Sequence, residues 1–103
     1  MIRNIDKIDA ITLYPDGIVD MKVVIFGNFD VTRDLQALIR KIGNYIVYIN
    51  GDEFKKEYNN PDKQLILMDI MLNGEVSEEV MKLLNKIADW IRRNGVRAKI
   101  TSR

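Results

Sequence analysis

The sequence predicts an α/β fold: a single mixed sheet of about five strands with an N-terminal hairpin, two main helices and one short helix, in the order ββαβ(α)βαβ. Two apolar runs, Val23-Val24-Ile25-Phe26 and Leu65 to Leu72, are too continuous for strands with a wet face and read as buried central strands. Two other segments repeat their apolar residues at helical spacing, and turn chemistry separates all four. At 103 residues the chain fits one domain, 1–103, and no linker, repeat or low-complexity tract divides it.

The first strand alternates Ile8, Ala10, Thr12 and Tyr14 with Asp9, Ile11 and Leu13. Pro15-Asp16-Gly17 then supplies a preset φ followed by a permissive one, which makes a hairpin, and the return strand spans Ile18 to Phe26. Gly27-Asn28-Phe29-Asp30 breaks the pattern. Asp30 or Thr32 caps a helix over 32–42, with Leu35, Leu38, Ile39 and Ile42 on one face, and Gly43 stops it. Tyr45 to Ile49, rich in β-branched and aromatic residues, reads as a short strand ended by Asn50-Gly51. Asp52 caps a short helix with Phe54 and Tyr58 four apart, closed by Asn59-Asn60-Pro61.

After the second buried strand, Asn73-Gly74 turns the chain and Ser77 caps a helix over 77–93, with Glu78 and Glu79 at its positive end and Gly95 past its last turn. Val80, Leu83, Leu84, Ile87 and Ile91 form its buried stripe. The last strand turns Val96, Ala98 and Ile100 inward and Arg97, Lys99 and Thr101 outward. The connection from Asn50 to Gln64 fits either a parallel crossover or a ferredoxin-like antiparallel sheet; its short helix and the two buried strands favour the parallel crossover.

Histidine and cysteine are both absent, which removes two common nucleophiles, bases and metal ligands. The expectation is a protein without catalysis, metal or cofactor. Sixteen basic and fifteen acidic residues leave a net charge of +1, so no global field draws the chain to nucleic acid or membrane. The first residues lack an apolar h-region and no run spans a bilayer, which points to a cytoplasmic protein without membrane contact.

Three family resemblances meet on these residues. The hairpin leading into Val24-Ile25-Phe26 and Gly27-Asn28-Phe29-Asp30, then Leu67-Met68-Asp69-Ile70, Ser77 and Arg92-Arg93-Asn94-Gly95 before a strand, together resemble the STAS domain of anti-sigma-factor antagonists. The resemblance implies a protein-binding module. That family's Asp-Ser-Ser-Gly turn stands here as Val76-Ser77-Glu78-Glu79, so Ser77 alone corresponds to its regulatory serine. Leu65 to Leu72 is similar to the strand carrying the phosphoacceptor of receiver domains, which would make Asp69 the acceptor, but Gly27 and Asn28 replace the acidic pair that would hold magnesium. The Gly27–Asp30 turn and Tyr45–Asn50 are similar to the Clp-protease and crotonase-like fold, without the serine and histidine its hydrolysis needs.

Arg92, Arg93, Arg97, Lys99 and Arg103 place five cations in the last twelve residues with no acid among them. They either complement a helix end and guard an edge strand, or contact phosphates. Phe26-Gly27-Asn28-Phe29 lacks the spacing of the first RNA-recognition-motif signature, because Asn28 separates Gly27 from Phe29. The sequence therefore favours a small non-catalytic module that binds a protein partner or its own copy, with Ser77 and Asp69 as regulatory candidates. Nucleic-acid binding through the basic C-terminal segment is the alternative.

Overall fold

A computed structural model describes residues 9–102. Its elements are β1 (Ala10–Leu13), β2 (Val19–Phe26), α1 (Val31–Ile49), α2 (Asp52–Glu57), a 3-10 turn at Lys63–Leu65, β3 (Ile66–Asn73), α3 (Glu78–Arg93) and β4 (Arg97–Ser102). The sheet has four strands in the order β1-β2-β3-β4, with β1 antiparallel to β2 and the other pairs parallel. The parallel crossover is the connection the chain uses.

Both crossovers step the same way across the sheet, so right-handed connections put α1 and α3 on one face, where they pack against each other. Val19, Met21, Val23 and Ile25 of β2 and Ile66, Met68, Ile70 and Leu72 of β3 meet this helical layer and are fully buried. The alternate residues Val24, Phe26, Leu67 and Met71 are half-buried on the other face. The two apolar runs thus belong to strands with one helix-covered face, not two. Ala98 and Ile100 turn inward and Arg97 and Lys99 outward, as the alternation of the last strand predicts.

The fifth strand does not form. Tyr45 to Ile49 is the last part of α1, which runs 19 residues from its Asp30 cap straight through Gly43. The expectation of a helix over 32–42 stopped by Gly43 is corrected, because Leu38, Ile42, Tyr45 and Ile49 recur at helical spacing and are all buried. A helix-interior glycine costs only about 1 kcal/mol, less than burying a tyrosine and an isoleucine returns. Strand propensity in Ile46-Val47-Tyr48-Ile49 lost to tertiary packing.

Asp30 accepts the Arg33 N–H at 2.9 Å and Asp62 caps the 3-10 turn through Gln64 N–H. Asn59 and Asn60 end the α2 connection with positive φ, a conformation asparagine tolerates. At the carboxyl end of the sheet the two strand-to-helix turns touch. A Cβ on Gly74, whose φ is +118°, would lie 3.1 Å from Gly27 Cα.

The two glycines therefore predict opposite responses. Nothing lies within 4 Å of where a Gly43 Cβ would stand, so Gly43→Ala is expected to raise unfolding free energy by about 1 kcal/mol. Gly74→Ala is expected to lower it by more than about 1 kcal/mol. Urea denaturation of both variants checks the pair, and a destabilising Gly43→Ala contradicts the continuous helix.

Candidate functional site

The open sheet face is a grid set by register. Thr12, Asp20, Leu67 and Arg97 form one row, Ala10, Lys22, Asp69 and Lys99 the next, and Val24, Met71 and Thr101 the third. Charge sits at its centre. The Lys22 ammonium donates to Asp69 Oδ2 at 2.5 Å and to Asp20 Oδ2 at 3.1 Å, while the Thr101 hydroxyl donates to Asp69 Oδ1 at 2.8 Å. Asp69 is 1% exposed and Asp20 3%. Burial pulls the Lys22 pKa down, but hydrogen bonds and charge from Asp69 and Asp20 outweigh it, and the ammonium titrates above its ordinary range.

This cluster is close to closed. Both Asp69 oxygens are engaged, and Asp20 Oδ1 is the one buried side-chain oxygen or nitrogen of the described residues without a hydrogen-bond partner. One ammonium serving two buried carboxylates is a structural device first, since removing it leaves two uncompensated charges. No group of three or more acidic, histidine or cysteine side chains that could hold a metal exists among the described residues.

A second buried network ties α1 to the β1–β2 side of the sheet. Lys41, 0% exposed, donates to Asp9 Oδ1 at 2.6 Å, and Asp9 Oδ2 accepts the Val24 N–H at 2.8 Å. The Tyr45 hydroxyl accepts the Asp9 N–H and donates to the Lys22 carbonyl, both at 2.9 Å. Burial pushes the Tyr45 phenol well above its ordinary range. Sequence reasoning missed Lys41 because its neighbours Leu38, Ile42 and Tyr45 marked the face as core. A lysine inside such a stripe was the available signal.

The residues singled out from the sequence do not converge. Asp69 lies four residues before the end of β3, whereas Ser77 caps α3 beyond that end, exposed, its Oγ accepting the Val80 N–H at 3.2 Å. Asp30 and Asn28 precede α1, where Arg33 donates to the Asn28 carbonyl and to both oxygens of Asp34. The Arg33 hydrogen bonds hold the Asp34 carboxyl far below the usual carboxylate range, with its bond from the Asp30 N–H adding to the effect.

Of the basic C-terminal group, Arg92 is committed. It donates to Asp89 and, through Nη2, to the Ala98 carbonyl on the outer edge of β4 at 2.9 Å. That contact occupies an edge acceptor another strand would use. Arg93, Arg97 and Lys99 are exposed, with Arg93 in the last turn of α3 and the other two on the open sheet face; Arg103 lies outside the described residues.

An exposed apolar feature lies along α1. Val31, Leu35, Ile39, Gly43 and Val47 are spaced four apart along one ridge; Val31 and Leu35 are half-buried against the core, while Ile39 is 42% and Val47 73% exposed. The adjoining row, Thr32, Gln36, Arg40, Asn44 and Tyr48, carries one charge. Reading the segment as a helix that ended at Gly43 hid this ridge.

Fold and surface together define a two-layer α/β protein with one open sheet face and an apolar helix ridge. The chain belongs to a family of unknown function, DUF6572, whose model matches residues 1–103. No curated protein and no solved structure matches it. No helix among the described residues is long and apolar enough to cross a membrane.

Two predictions follow from the charge geometry. Lys22→Met is expected to cost about 3 kcal/mol or more in urea denaturation by stranding Asp20 and Asp69, and the triple change Asp20→Leu, Lys22→Met, Asp69→Leu to recover most of it. A cost below about 1 kcal/mol for the single variant removes the structural role. For Asp34, a folded pKa below the unfolded one means its stabilisation is complete above the unfolded value of about 4 and is lost as pH falls through the folded value. Asp34→Asn is expected to be less stable than the wild type at pH 7, with the gap closing in acid; a gap constant with pH contradicts the assignment.

Proposed function

We propose that this chain is a non-catalytic α/β module that works by binding protein. The observation that carries the reading is the α1 ridge, an apolar line along the whole 19-residue helix that the chain's own fold leaves uncovered at Ile39, Gly43 and Val47. Single exposed apolar residues are ordinary on protein surfaces, but an apolar row whose neighbouring row carries one charge, Arg40, fits an interaction surface. The charged clusters add support from the other direction. Asp69, the strongest candidate for chemistry, is buried with both oxygens occupied, and Ser77 caps its helix at a separate place.

Polynucleotide binding through Arg93, Arg97 and Lys99 has less behind it. Arg92 is engaged within the fold, and no aromatic ring accompanies Arg97 and Lys99 in their rows of the open face. A photo-crosslinking residue placed at Val47 in the native host, with Asn85 as the control position, tests the main reading. Protein adducts specific to position 47 and resistant to nuclease are expected. Adducts no different from those at position 85 remove it, and adducts lost on nuclease treatment transfer the case to the basic segment.

A further inference from the structure

We propose that the partner on this ridge is a second copy of the chain, docked across a two-fold axis so that Val47 of each copy enters the cleft beside Val31 and Leu83 of the other. The inference rests on reading the chain as a protein-binding module and names the occupant. It starts from the order of residues along the ridge, which is symmetric about Ile39: antiparallel pairing sets Val31 against Val47, Leu35 against Gly43, and Ile39 against Ile39. An isologous interface needs this self-complementarity, because each residue meets its counterpart twice.

Helix geometry supplies the crossing. Residues four apart form ridges inclined to the helix axis, and two such ridges interdigitate at about −50° with axes about 8–10 Å apart. Beside the central Ile39 pair, a large side chain at position 43 as well would crowd Leu35 of the other copy. Gly43 places empty space opposite Leu35 of the other copy, and nothing in its own fold uses that space. This accounts for a helix-interior glycine that costs the monomer about 1 kcal/mol relative to alanine.

Charge matches at the two ends. The knob end carries the negative pole of α1, with no basic residue in its last turn, followed directly by Asp52 and Glu53 in the first turn of α2, with Lys55 and Lys56 one turn further on. The receiving cleft, about 290 Å³, is lined by Val31 and Leu83 with Lys82, Lys86 and Glu79 at its rim, so two cations face one acid. Docking brings each acidic end to a lysine rim, and the symmetry does so twice. Size is also compatible. A stable interface takes about 800 Å² from each partner, roughly an eighth of the 6396 Å² surface, and α1 at about 28 Å long spans that width with the flanking face of α3.

Sedimentation equilibrium of the full chain up to about 200 μM tests the proposal. The wild type is expected to form a dimer. Val47→Glu and Gly43→Leu are each expected to raise the dissociation constant by at least about a hundredfold while leaving circular dichroism intact and, at concentrations below the wild-type dissociation constant, the unfolding midpoint unchanged or higher, because both positions face open space in the monomer. Lys82→Glu with Lys86→Glu is expected to weaken the dimer, and adding Asp52→Lys and Glu53→Lys to restore it by reversing both signs. A wild type that stays monomeric across the range overturns the proposal, as does a dimer indifferent to Val47→Glu and Gly43→Leu, or a charge reversal that fails to restore association. The binding reading itself fails separately: monomeric wild type with crosslinks from position 47 to a different protein keeps the module and discards the second copy.

Discussion

The buried Asp9–Lys41 pair is the constraint on which the rest of the structure depends. A fully buried ammonium is tolerated only when paired and hydrogen-bonded, and Asp9 supplies Lys41 with a carboxylate at 2.6 Å. Asp9 is in turn fixed by the Val24 N–H and by the Tyr45 hydroxyl. Lys41 and Tyr45, four apart, thereby lock the rotation of α1 about its own axis. Ile39, Gly43 and Val47 stand two residues away from these anchors, about 200° around the helix, and are turned to solvent as a direct consequence. The same pair that seats the helix exposes the ridge.

The sheet is fixed by a second ionic device with a different effect. Lys22 and Asp69 are register partners on neighbouring parallel strands, and Thr101, from the next strand, completes the group. A slip of one residue between β2 and β3 would turn Asp69 toward the helices and strand the ammonium, so the pairing penalises every register but one. Its position on the open face matters too. Both helices cover the opposite side, and on this face the two buried carboxylates are held by a lysine that itself still reaches solvent. The cost is the unpartnered Asp20 oxygen, which one lysine shared between two carboxylates cannot reach.

Much of this was legible in the sequence. The hairpin, the two central strands, α3 with its Ser77 cap and the parallel crossover all follow from turn chemistry and periodicity, and local preference agrees with the global fold at each. The disagreement at Gly43 to Ile49 has one physical origin. A glycine followed by β-branched and aromatic residues reads as a stop and a strand, while Leu38, Ile42, Tyr45 and Ile49 carry the helical period across it. Local propensity spans about a kilocalorie per residue, and a buried side chain outweighs it. The charged networks were opaque because each joins residues far apart in sequence. Asp9 with Lys41 and Lys22 with Asp69 become neighbours only through strand order and helix rotation.

Gly43 connects the fold to its use. For an isolated chain, alanine there would be better: the helix would gain propensity, and the Cβ would touch nothing. The same helix leaves Val47 almost three-quarters exposed, although a polar residue at that position would lose no core contact. These choices lie on one ridge and share a sign, each giving up something the monomer could have had. Natural proteins break local rules chiefly where function asks for it and compensate elsewhere. Here the compensation is the deep anchoring of Lys41 and Tyr45, which holds α1 firmly and, on the proposed reading, leaves its outer face for recognition.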